Sequence, residues 1–164
     1  MPVPRSRPFK LNKDGTFTVN LPDGFRELLV SLADQIDEIV AMDVPETRRL
    51  FPTAYPNDAE RDAGYQIFAR DQLVNQRRTA ADTVRETYRK QRLTEDEMSQ
   101  WMAVVNDARL VLGTYLDVSE DDDELLLDDP DLDLRLIYHE LGLLLERMVT
   151  TMSKGLPEPT DPDD

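Results

Sequence analysis

The sequence predicts a mainly α domain, a four-helix bundle-like body with an N-terminal β-hairpin. Three observations lead there: four stretches whose apolar residues recur at helical spacing, two short alternating segments around a Gly-containing turn, and a capping box of Thr94 with Glu97 ahead of one apolar run. At 164 residues and 40% hydrophobic content, the chain suits one domain with a modest core. That domain is expected over residues 9–154, after a flexible basic arm at 1–8 and before a disordered acidic tail at 155–164.

Phe9-Lys10-Leu11 and Thr16-Phe17-Thr18-Val19 alternate apolar and polar residues around Asn12-Lys13-Asp14-Gly15, where Gly supplies the positive φ of a tight turn. A lone hairpin is marginal in water, so its apolar face must lie on the helices. Asp23 is the expected cap of a first helix reaching about Ala41, with Phe25, Leu28, Leu29, Leu32, Ile36, Ile39 and Val40 as its apolar stripe. Pro45 closes that region or opens a short turn. Residues 49–58, interrupted by Pro52 and Pro56, read as a loop packed through Leu50, Phe51 and Tyr55.

No Pro intervenes from Asp58 to about Arg92, which permits one long helix, with Gly64 and Asn75 as places where it could break. Its clearest stripe is Ile67, Val74, Ala81, Val84 and Tyr88. The helix after Thr94 carries Met98, Trp101, Met102, Val105, Leu112 and Leu116 and is expected to end near Asp117. Residues 117–133 hold ten carboxylates and no basic group, and their mutual repulsion predicts an extended loop. Pro130 then opens a last helix with the stripe Leu134, Ile137, Leu141, Leu145, Met148 and Met152.

The 34 acidic against 19 basic side chains give a formal net charge of -15. Such a field repels phosphate backbones, so direct nucleic-acid binding is not expected. With no Cys, disulfides, thiolate metal sites and thiol nucleophiles are excluded in this chain. Uninterrupted apolar runs of only a few residues, as at Leu125-Leu126-Leu127, fall far short of the ~20 residues that cross a bilayer. Met1 to Pro8 lacks the apolar stretch of a signal peptide, so a cytoplasmic location is expected.

His139 is the only histidine, which removes the paired-histidine zinc motif and the two Glu-x-x-His pairs of di-iron bundles. There is no Gly-rich phosphate loop and no Gly-x-Ser-x-Gly elbow. Asp129, Asp131 and Asp133 alternate as in a calcium loop, with Glu140 in the closing position. The bend such a loop needs at Gly is occupied by Leu134. No catalytic, metal or cofactor residue is therefore named, and the chain is not expected to be an enzyme.

Two groups of residues are singled out instead. Arg78, Arg85, Arg89 and Arg92 fall within one sector of the long helix, a candidate partner-binding stripe. Its competing reading, favoured by the overall charge, is neutralisation by residues 117–133 or by Asp82 and Glu86. Asp121, Asp122 and Asp123 form the candidate acidic contact for a basic partner. Arg70 and Arg77 lie inside an apolar stripe and Arg109 interrupts another. With Asp107 and Glu140 as candidate partners they suggest a structural polar network, and snorkelling of the long side chains is the equal alternative. Trp101, Met98 and Met102 read as core. The wide stripes also leave room for a homodimer through crossed long helices.

Arg49-Leu50-Phe51-Pro52-Thr53-Ala54-Tyr55, the run from Trp101 through Asn106-Asp107-Ala108-Arg109-Leu110-Val111-Leu112-Gly113-Thr114, and Tyr138-His139-Glu140-Leu141-Gly142 resemble the actinobacterial AosR family, long catalogued as a domain of unknown function. The resemblance implies a small helical regulator of transcription in oxidative stress that contacts a stress sigma factor. The family's frequent placement beside the ClpS adaptor and a cysteine pathway implies, alternatively, an accessory role in ClpS-linked proteolysis or cysteine biosynthesis. Redox gating in the family relies on a close pair of cysteines, which this chain does not have.

Overall fold

The computed structural model describes residues 7–42, 44–118 and 128–155; most of the basic arm, Asp121, Asp122, Asp123 and the tail from residue 156 lie outside them. Phe9–Leu11 (β1) and Phe17–Val19 (β2) pair antiparallel, Phe9 opposite Val19 and Leu11 opposite Phe17. Gly15 adopts φ +80° in the turn, a conformation that a Cβ would strain. The expected hairpin is present. It is joined by a third strand, β3 (Arg92–Leu93), antiparallel to β2. Two residues carry no periodicity, and the sequence reading runs the long helix to about Arg92, up to the start of this strand.

Helix α1 spans Asp23–Val40 and buries Phe25, Leu29, Leu32, Ile36 and Val40. Its cap is Pro22, whose carbonyl accepts from the Phe25 and Arg26 amides at 3.0 and 3.1 Å; Asp23, the expected cap, stands in the first turn. Arg26 is 4% exposed, its guanidinium closing the joint between sheet and helices. Nε donates to the Leu21 carbonyl at 3.1 Å, Nη1 to Tyr88 and Lys90 at 2.6 and 2.8 Å, and Nη2 to Val19 at 2.9 Å. After α1, Pro45–Thr47 forms a 3-10 turn, and the loop that follows buries Leu50.

Helix α2 runs unbroken over Ala59–Thr87, through both Gly64 and Asn75, for about 43 Å at the α-helical rise. Asp58 caps it, accepting from the Arg61 amide. It ends earlier than expected, in a turn that leads to β3. The stripe also needs correcting: Ala81 and Val84 are buried, whereas Ile67 is 74% exposed. The reason is the length of α1. Contacts of Asp34 with Arg85, Asp37 with Arg78 and the Met42 carbonyl with Arg70 show the two helices antiparallel. Beyond Val40 no α1 residue remains to cover Ile67.

Helix α3 (Glu95–Tyr115) opens on the expected capping box: Thr94 Oγ1 accepts from the Glu97 amide and the Glu97 carboxylate from the Thr94 amide. It closes with Asp117 at φ 50°, the Val118 amide on the Gly113 carbonyl and the Asp117 amide on Thr114, which satisfies carbonyls of the last turn. Helix α4 (Leu132–Ser153) follows. Asp129 steadies its start, accepting from the Asp131 amide at 2.8 Å and from Arg135 Nε at 2.6 Å. The core joins α1, α3 and α4 through the fully buried Phe25, Leu29, Met98, Trp101, Leu144 and Met148. The Trp101 indole N–H donates to Thr87 Oγ1 at 2.7 Å, which donates in turn to the Thr83 carbonyl.

Candidate functional site

The basic stripe is a seam between α1 and α2. Arg85 meets Asp34 and Asp82 at 2.7 Å and Asp37 at 3.2 Å, and Arg78 meets Asp37 at 3.2 Å. The hydrogen bond to Asp34 leads in holding the Arg85 pKa above the ordinary arginine value. Two carboxylates from α1, Asp34 and Asp37, do much of this neutralising and were absent from the expected partners. Arg89 lies over the Tyr88 ring at 5.1 Å. Arg92 departs from the stripe altogether. The helix ends at Thr87, and Arg92 stands on β3 with Asp14 at 3.5 Å.

A second cluster forms where α2, α3 and α4 meet the loop after residue 48. Arg70 and Arg77 approach the Phe51 ring at 4.4 and 5.2 Å. Arg77 Nη2 donates to the Leu50 carbonyl at 2.9 Å, and its Nε lies 3.3 Å from the Asp107 carboxylate. Burial of Asp107 pushes its pKa up to about 6, against the pull of Arg77. A polar recess of about 440 Å³, lined by Gln76, Arg77, Ser99, Gln100 and Asp107, opens on this pair. Glu140 is half-buried on α4.

Arg109 takes an aromatic partner. Its guanidinium lies 4.9 Å from the centre of the Tyr138 ring, and its buried Nε has no hydrogen-bond partner. Gly142 makes room for this, since a Cβ there would stand 3.2 Å from that Nε. One helical turn along α3, a Cβ on Gly113 would meet Tyr138 Cε2 at 3.0 Å and Arg49 Nη1 at 3.1 Å. Arg49, Gly113 and Tyr138 thus bring together the three sequence segments singled out above. Gly113→Val is expected to cost about 1–3 kcal/mol of stability by overpacking. Thermal denaturation will show it, and the penalty should shrink in a Tyr138→Leu background.

The arrangement is one of ion pairs and cations stacked on rings between neighbouring elements. Among the described residues, no group of three or more His, Asp or Glu could hold a metal ion. His139 is exposed on α4. Sequence reasoning missed Arg26, although its position three before Leu29 and seven before Ala33 puts it on the buried face. It also missed Asp34, Asp37 and the pairing of Gly113 with Tyr138, which only the third dimension brings together.

A family model described as a domain of unknown function, DUF2017, matches residues 6–152. Proteins named oxidative stress regulator AosR from Mycobacterium bovis and Mycobacterium tuberculosis are each 28% identical to this chain, across 74% of it and 68% of their own length. No solved structure matches. No helix of the described residues is long and apolar enough to cross a membrane.

Proposed function

The chain belongs to the DUF2017 family, and from that premise we propose that it is a non-enzymatic regulator that works by binding another protein, a stress sigma factor. Its likeness to proteins named oxidative stress regulators carries this reading. Physical support comes from charge. Arg78 and Arg85 are matched by Asp34, Asp37 and Asp82, while Glu27, Glu38, Glu86, Glu95 and Asp96 face solvent. An exterior of that sign suits the basic DNA-binding regions of a sigma factor, with the acidic run around Asp121, Asp122 and Asp123 as its contact and Arg89 and Arg92 at the edge. A chain without Cys does not respond to oxidant through a disulfide of its own.

Titrating the purified chain with a stress sigma factor from the same genome tests the proposal. The expected result is a complex whose affinity falls at least about tenfold between roughly 50 and 500 mM salt. No binding, or binding indifferent to salt, would count against it. Affinity capture separates the alternative. Sigma factor or polymerase co-eluting supports the regulator, whereas ClpS and protease components would favour an adaptor.

A further inference from the structure

The first half of α2 projects past the end of α1 and carries the most exposed large apolar side chains described, Ile67 at 74% and Phe68 at 85%. Tyr65 is turned to another side, edge-on to Tyr55 at 6.1 Å. The exposed face continues through Gly64, where a Cβ would meet nothing within 4 Å, and Met42 at the end of α1 is 52% exposed beside it. We infer that this face is a homodimer interface, in which two copies of α2 cross antiparallel with Ile67 and Phe68 at the two-fold axis.

Charge selects the second copy as occupant. Residues 58–78 hold four acids, Asp58, Glu60, Asp62 and Asp71, and four arginines, Arg61, Arg70, Arg77 and Arg78, so this segment is neutral in a chain of net charge -15. The acids gather toward the start of the segment and the arginines toward its end. An antiparallel pair therefore sets Glu60 of one copy beside the turn of Asn75 and Arg78 in the other, and opposes the two helix dipoles. Ile67 and Phe68 offer a basic partner no charge, and such a partner is drawn to the acidic exterior instead. Gly64 lets the helix axes approach closely at the crossing.

Native mass measurement of the full chain between about 1 and 100 μM tests the inference, with a dimer expected to form in that range. Ile67→Asp with Phe68→Asp should raise the dissociation constant about 100-fold or more, with circular dichroism and melting temperature of the monomer unchanged because both sites face solvent. Since the wild-type chain has no Cys, Ile67→Cys gives a clean second readout. Mild oxidation should yield a disulfide-linked dimer, and Glu146→Cys, on the exposed face of α4, should not. A monomer at 100 μM, a dimer unaffected by the double variant, or equal cross-linking at both positions overturns the inference. Sigma-factor binding is read separately, so the failure of either proposal leaves the other standing.

Discussion

Arg26→Met is expected to destabilise the fold by about 3–5 kcal/mol, more than any surface change. The methionine fills similar volume while removing the donors and the charge together. Four donations, to Leu21, Val19, Tyr88 and Lys90, disappear together, leaving those buried and part-buried carbonyls without this donor. These carbonyls belong to the end of β2, the lead into α1 and the turn between α2 and β3. The guanidinium therefore ties the start of α1 to the end of β2 and to the turn that leads from α2 into β3. Burial lowers the Arg26 pKa, with Asp23 the nearby carboxylate opposing the shift. Arg26→Lys keeps the charge but lacks the planar fork, and should recover less than half of the loss. Chemical denaturation of the three proteins measures this. A penalty under about 1 kcal/mol for Arg26→Met would mean water replaces the guanidinium at little cost.

Why the sequence revealed α1, α3 and α4 but misjudged α2 follows from what periodicity records. Apolar spacing reports which residues share a face, and Phe25 to Val40 or Met98 to Val105 share faces that neighbours do cover. Ile67 lies on the same stripe as Ala81, yet its cover depends on where another helix stops, a fact written elsewhere in the chain. The capping box at Thr94 was legible because its partners are three residues apart. The partners of Arg85 were not, since Asp34 and Asp37 lie about fifty positions away on a helix whose direction the sequence leaves open. Asp107 with Arg77 was half legible. Both residues stood out as charges within apolar stripes, and the structure joins them while giving Arg109 the Tyr138 ring.

Arg77→Met is expected to cost about 2–4 kcal/mol at pH 8 and markedly less at pH 5. In the wild-type protein, the folded-state pKa of Asp107 stands at about 6, against an ordinary value of 3.8. The native state therefore binds this proton more tightly than the unfolded chain does. Its contribution to stability is fully present below about pH 4 and is lost as pH rises to 6. Removing Arg77 takes away the pull that opposes burial, so Asp107 shifts further upward and its ionised form at pH 8 lies buried without its cation. Near pH 5 the carboxyl is largely protonated in both proteins, and the remaining difference is the hydrogen bond to Leu50. Adding Asp107→Leu should restore most of the loss, because an apolar pair of similar volume removes both desolvation costs. Urea denaturation at both pH values decides the matter. A penalty that stays constant with pH would show that Arg77 holds the helices by packing on Phe51, with no electrostatic coupling to Asp107.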